Sequence, residues 1–142
     1  MSLPELSPDG RWGAYLLVDP TNMRNLIRFV DIDNGEVAPS EIPVPYGVIS
    51  GNVAPGRFRW MPDGRRIVFT AFDDVGRSGL YVQDFDPARD TLPSRRPLTA
   101  FSSDQVAESF GISADGGTIV LSTMSESVSL MLAEGSGLQL IQ

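Results

Sequence analysis

Trp60-Met61-Pro62-Asp63-Gly64-Arg65-Arg66-Ile67-Val68-Phe69 holds the end of one strand, a tight turn and the start of the next. Pro62 presets φ at the first turn position, the Asp63 carboxylate reaches the backbone ahead, and Gly64 accepts a positive φ. The same chemistry stands at Ser7-Pro8-Asp9-Gly10 and at Ser113-Ala114-Asp115-Gly116, with the aspartates 54 and 52 residues apart. One such turn is commonplace; three in register are an internal repeat.

The flanks of the turns repeat as well. Pro4-Glu5-Leu6, Phe58-Arg59-Trp60 and Phe110-Gly111-Ile112 precede them, and Gly13 to Val18, Ile67 to Thr70 and Ile119 to Ser122 follow. The following runs are short and rich in β-branched and aromatic residues, as buried strands are. A third run comes next in each unit, at Leu26 to Asp33, Gly79 to Asp86 and Ser127 to Glu134. A weaker fourth closes it, at Ile42 to Val44, Arg96 to Thr99 and Leu138 to Ile141. No stretch keeps the i, i+3, i+4, i+7 spacing of a helix over three turns. The Gly, Pro, Ser and Asp content of Ser50 to Gly56 and of Pro87 to Ser94 predicts loops at the ends of the sheets. The expected fold is all-β, with three four-stranded antiparallel units over 4–50, 51–101 and 102–142 in one domain. That size and strand count are those of a β-propeller blade.

Composition restricts the chemistry more than it suggests any. The 142 residues include 14 Gly and 11 Pro, both above average usage, which fits a chain that turns often. Cys and His are absent, and all 11 basic residues are Arg. Thiol nucleophiles, imidazole bases and ligands, Schiff-base lysines and the phosphate-binding lysine of nucleotide sites are thereby excluded. No catalytic residue, metal site or cofactor is expected, and the chain reads as a non-enzyme. The net charge of −7 is uneven, because every residue from Pro97 onward is acidic or neutral. Such a surface does not favour phosphate backbones, and no apolar run approaches the ~20 residues that span a bilayer, so neither nucleic-acid binding nor membrane insertion is expected. No charged-then-apolar targeting signal opens the sequence.

At this point the residues carry a resemblance. Ser7-Pro8-Asp9-Gly10-Arg11, an apolar strand, and a strand ending in Asp31-Ile32-Asp33-Asn34-Gly35 resemble the repeat of TolB-like β-propellers. Trp60 to Phe69 is closer still, and Arg96-Pro97-Leu98-Thr99 matches the Leu-Thr that commonly ends such a blade. The third unit departs from the pattern, with Ala114 in place of Pro and Glu134 where an acidic pair would stand. Pro97 to Gln105 and Ser113 to Val120 also resemble the last blade of propellers fused to bacterial signalling proteins. The resemblance implies a non-catalytic interaction or ligand-sensing module, part of a larger bacterial signalling or envelope protein. The alternative it allows is a propeller gating a prolyl-oligopeptidase-like peptidase, whose hydrolase domain and catalytic His are not in this sequence. A hydrolase using carboxylates in the channel is a third reading.

Propellers close with 4 to 8 blades, so three read as a fragment or as half of a six-bladed ring. The expected partners are a protein, a peptide or a small ligand at a propeller face. A second copy is expected too, giving a homodimer with contacts near Leu6 and Leu140 and end faces carrying Tyr15, Phe69 and Leu121.

Candidate site residues are few. Arg57, Arg59, Arg65 and Arg66 surround the second turn with Trp60 among them, and arginine recognises anions and carboxylates with its fork of donors. They form a candidate anion or partner contact. Asp9, Gly10, Asp63, Gly64, Asp115 and Gly116 read as turn residues rather than as converging carboxylates. Asp31-Ile32-Asp33-Asn34-Gly35-Glu36 superficially resembles a calcium loop, but its Gly falls fifth rather than sixth, and a strand end with a turn is the simpler reading. Asp73-Asp74, beside Gly76, reads as a solvated hairpin loop.

Overall fold

Each repeated turn closes a hairpin in the same way. Gly10, Gly64 and Gly116 donate their N–H to the carbonyls of Ser7, Met61 and Ser113 at 2.8–2.9 Å. The three glycines have φ of +73°, +67° and +72°, a region that costs other residues about 1–2 kcal/mol. Asp9, Asp63 and Asp115 each accept the N–H two residues ahead through Oδ1. The identity of the turns is therefore one of hydrogen bonding as well as of sequence.

The computed structural model describes residues 4–19, 21, 24–45, 48–49, 52–53, 56–125, 130–134 and 137–141. Among them the fold is all-β, with a single 3-10 turn at Leu92–Ser94 and no α-helix. The first sheet runs in chain order through β1 (Glu5–Leu6), β2 (Trp12–Asp19), β3 (Arg24–Asp31) and β4 (Val37–Val44). A short ribbon follows, β5 (Val48–Ile49) against β6 (Asn52–Val53), within a stretch partly expected to be loop. The second sheet has the same order: β7 (Phe58–Trp60), β8 (Arg66–Phe72), β9 (Ser78–Asp84) and β10 (Arg96–Pro97). The third is β11 (Val106–Ile112) paired with β12 (Ile119–Met124), and a separate hairpin joins β13 (Leu130–Glu134) to β14 (Gly137–Ile141).

The third unit thus corrects the expectation of four strands, because its sheet has two. β12 is covered on one face only, and Val120 on the other face is 72% exposed. A strand added beside it would bury little side-chain surface, which is what stabilises a strand pair. Of the expected third run, Ser127 to Ser129 lies outside the described residues. β4 differs in the other direction, starting at Val37 rather than Ile42. Pro39 and Pro43 hide it from pattern reading, yet β4 is an edge strand, where proline removes no ladder bond that matters. The short β10 is extended by side-chain chemistry: Leu98 N–H donates to Leu80 O, and Leu80 N–H donates to Thr99 Oγ1. That contact explains the Leu-Thr after the strand.

Alternation along β8 divides the core. Ile67, Phe69 and Ala71 face the first sheet, where they join Ala14, Ile27, Phe29, Ile42 and Val44. Val68 faces the other way and, with Leu80 and Val82 of β9, packs on Phe110 with Ile112, Ile119 and Leu121 alongside. The second sheet is therefore buried on both faces. Phe69 and Leu121, expected on outward end faces, are instead turned inward, Phe69 with no exposed surface at all. Tyr15 does face outward: Trp12, Ala14 and Leu16 belong to the first core, and Tyr15 lies between them in a strand with period two. Successive turns also touch, since a Cβ on Gly64 would lie 3.6 Å from Pro8 Cδ, and one on Gly116 would lie 3.4 Å from Pro62 Cδ.

Candidate functional site

The touching turns bring together the first strands of all three sheets, and a cleft opens between them. On β7, Phe58 and Trp60 point into the core, so the residue between them, Arg59, must point to the other face. Its Nε donates to Phe110 O of β11 at 2.8 Å, and its Nη1 donates to Glu5 Oε1 of β1 at 3.0 Å. One guanidinium thus joins β1, β7 and β11. The cleft beside it has a volume of about 370 Å³, with walls from Leu6, Pro8, Pro62, Ile112 and Ala114.

Glu5 is the one carboxylate among the lining residues. Burial raises its pKa above the ordinary glutamate value, against the opposing pull of Arg59 and of the Trp60 N–H. Arg59 is half exposed, with 50% of its side-chain surface open. Its Nε is engaged by Phe110 O and its Nη1 by Glu5, so among the described residues Nη2 is the nitrogen that can offer donors to an incoming acceptor. The cleft is a small, mostly apolar recess with a single charge pair. Among the described lining residues Glu5 and Arg59 are the only charged ones, so the cleft presents one carboxylate and one fork of donors.

The other candidate arginines do not join Arg59. Arg66 forms an ion pair with Asp63 at 2.8 Å, and Arg65 donates its backbone N–H to the same carboxylate. The Arg57 backbone is paired to Thr70 on β8, its N–H donating to Thr70 Oγ1 and its carbonyl accepting the Thr70 N–H. Trp60 is 7% exposed and packs in an aromatic cluster with Phe29 and Phe85, and it also lines the cleft beside Arg59. Asp31 accepts the Asp33 N–H and closes a turn through Gly35, with Arg11 at 3.7 Å. Among the described residues, no group of three or more acidic, His or Cys side chains is placed to hold a metal ion.

Two residues that pattern reading passed over are prominent here. Glu5 gave no signal because its partner is 54 residues away in sequence. Arg95 lies between the first two sheets, over the rings of Phe69 and Tyr81 at 5.0 and 5.5 Å. A second recess of about 300 Å³ runs along β4, between Pro39, Glu41 and Pro43 on one side and Ala88, Asp90 and Leu92 on the other.

The turn aspartates set the expected response to acid. The Ser7 hydroxyl and the Arg11 N–H lower the pKa of Asp9, and the Ser113 hydroxyl and the Gly117 N–H lower that of Asp115. At Asp63 partial burial pushes upward, but the Arg65 N–H and the Arg66 guanidinium outweigh it. Folded pKa values below the unfolded one stabilise the protein above the ordinary aspartate range, and that stability is lost as pH falls through the folded values. Glu5 acts with the opposite sign, since a raised pKa contributes stability that fades as pH rises through it. The three aspartates outnumber it, so the melting temperature is expected to drop between about pH 5 and about pH 3. Replacing Asp9, Asp63 and Asp115 together by Asn keeps the Oδ1 acceptor and should flatten that dependence. Thermal melts across the range check it, and a triple variant as acid-sensitive as the parent would refute it.

No family model matches this chain, and no curated protein does so.

Proposed function

We propose that the chain is a non-catalytic β-propeller module in which each sheet is a blade. In this reading the cleft between the first strands binds a peptide or small ligand carrying a carboxylate. The observation that carries the proposal is the double reach of Arg59, to Glu5 on one side and to Phe110 O on the other, across three first strands. First strands bridged by one guanidinium, sheets packed face to face and turns in contact at one end are in keeping with consecutive blades. The TolB-like repeat adds to it and makes a bacterial signalling or envelope protein the natural setting. Recognition would rest on the Nη2 donors of Arg59, with Leu6, Pro62 and Ile112 as apolar walls.

The test is a titration of isotope-labelled protein with a pool of short peptides that have free C-terminal carboxylates, followed by nuclear magnetic resonance. Shifts are expected at Glu5, Arg59, Gly111 and Ser113. They should be lost in Arg59→Gln and in Ala114→Tyr, the latter an exposed turn position at the rim of the cleft. Shifts confined to other surfaces, or unchanged in both variants, would refute the cleft as the site. Turnover of an ester, glycoside or peptide substrate that disappears on replacing a single Asp or Glu would refute the non-catalytic reading.

A further inference from the structure

The repeat allows the two end faces to be compared with the faces that the middle sheet buries. Counted from the turn aspartate, the fifth residue is Val68 in the second sheet and Val120 in the third. Val68 is 0% exposed, and Val120 is 72% exposed. The eighth is Ala71 in the second sheet, 2% exposed, and Leu17 in the first, 40% exposed. The third sheet therefore leaves open the face that the second sheet covers with the third, and the first leaves open the face that the second covers with the first.

Both open faces carry apolar side chains. Leu6, Gly13, Val30 and Val37 are aligned across the first sheet by its register, and Leu17 lies on the same face of β2. Leu6 and Val37 are 63% and 49% exposed. On the third sheet, Val106 pairs with Met124 and Gly111 with Val120. Both faces also carry charged side chains. The first sheet offers Arg28, whose Nε is buried with no hydrogen-bond partner and whose carboxylate neighbour Glu41 stands at 3.6 Å. The third sheet's open face carries Glu108, held by Ser122 Oγ, in a stretch with no basic residue from Pro97 onward.

We propose that the open face of the third sheet docks on the open face of the first sheet of a second copy, and the reverse, so that two chains close one ring. The contact repeats the packing already present between sheets within the chain, and it sets Glu108 of one copy against the face where the Arg28 Nε of the other has no hydrogen-bond partner beyond its ion-pair neighbour Glu41. Stoichiometry follows from closure. Closed propellers have 4 to 8 blades, the three stacked sheets described here supply three, and two copies of them give the one multiple of three in that range. The contact is head-to-tail, and the two-fold rotation that closes it stops it from growing into a filament. The side chain of Leu140, expected near this contact, lies outside the described residues. This inference rests on the blade reading above.

Sedimentation equilibrium of the whole chain at micromolar concentration, with small-angle scattering on the same samples, tests it. The expected mass is twice the 15.4 kDa of one chain. Val120→Asp and Leu17→Arg should each weaken pairing by about tenfold or more, with circular dichroism and melting curves confirming that both variants fold. Mixed one to one, the two variants should recover a dimer, because one of its contacts is unaltered and the other sets Asp against Arg. A monomer, a series of growing polymers, a mixture that stays monomeric, or a Val120→Asp variant that pairs as the parent does would each overturn the proposal. A monomer whose scattering fits three sheets about an axis defeats this proposal alone. A profile that does not fit them defeats the blade reading with it.

Discussion

Phe29→Ala is expected to destabilise the protein by about 3–5 kcal/mol, the cost of emptying a fully buried aromatic site. Phe29 has no exposed surface and lies 4.4 Å from the Phe85 ring and 5.7 Å from the Trp60 ring, centroid to centroid. Trp12 completes the group, edge-on to Phe85 at 5.6 Å. Two of these residues come from the first sheet and two come from the second sheet or the segment just after it. Removing the ring therefore takes contacts from both sides of the sheet–sheet interface, and each lost aromatic pair adds about 0.5–1.5 kcal/mol beyond area. Domains of ordinary size are stable by about 5–15 kcal/mol, so a large fraction of the total is at stake. The melting temperature should fall by about 10 °C, at about 2–4 °C per kcal/mol for a chain of this length. Leu92→Ala, at a side chain 44% exposed, is the control and should change little. Denaturant midpoints measure both. A Phe29→Ala loss under about 1 kcal/mol would mean that the site collapses around the smaller residue and that the aromatic group does not hold the two sheets together.

How far the fold was legible from sequence depends on whether its causes are local. The turns at Asp9, Asp63 and Asp115 are local devices, with Pro or Ala, Asp and Gly each acting within four residues, and the chain displays them openly. The strands on either side were legible for the same reason. β4 was only half legible, because Pro39 and Pro43 argue against a strand unless its edge position is known. The third sheet departs from the strand pattern because that pattern counts residues, whereas pairing of β12 depends on what covers it. Phe69 and Leu121 differ from the expected open faces for a related reason. Tyr15, Phe69 and Leu121 occupy the same place in the repeat, six residues after the turn aspartate, and so share one face of their sheets. That face is open on the first sheet and covered on the second and third, which depends on neighbours and not on the repeat. The arginines around the second turn illustrate the limit at the site. Arg59, Arg65 and Arg66 are close in sequence, but strand alternation sends Arg59 to the cleft, while Arg66 turns back on Asp63. Glu5 completes the pair from another sheet, and no local pattern could have named it.

Arg95 leads to the second large expected effect. Its Nε donates to Gln83 Oε1 at 2.8 Å, its Nη2 donates to Pro43 O of β4, and its plane lies near the rings of Phe69 and Tyr81. Gln83 has no exposed surface, and its amide in turn donates to Thr91 Oγ1. No ion pair forms with Arg95 among the described residues, and burial lowers its pKa, with Tyr81 and Asp90 opposing. The guanidinium is charged at every ordinary pH, so its desolvation has to be offset by these hydrogen bonds and by the aromatic faces. Arg95→Ala removes the donor to Gln83 and Pro43 at once. It leaves two acceptors between the sheets without a partner, at about 1–3 kcal/mol for each one that water does not reach. A loss of about 2–4 kcal/mol is expected. Arg95→Lys should recover less than half of it, because a single ammonium cannot serve both acceptors and lie flat over the rings. Arg95→Met is the deciding variant, since apolar replacement of a buried charge is often neutral when the charge was a burden. If Arg95→Met is as stable as the parent in denaturant unfolding, the guanidinium is a tolerated cost and not a clamp between the first two sheets. A Met variant that falls with Ala, while Lys rises only part of the way, makes the two directed hydrogen bonds the element that locks β4 onto the second sheet.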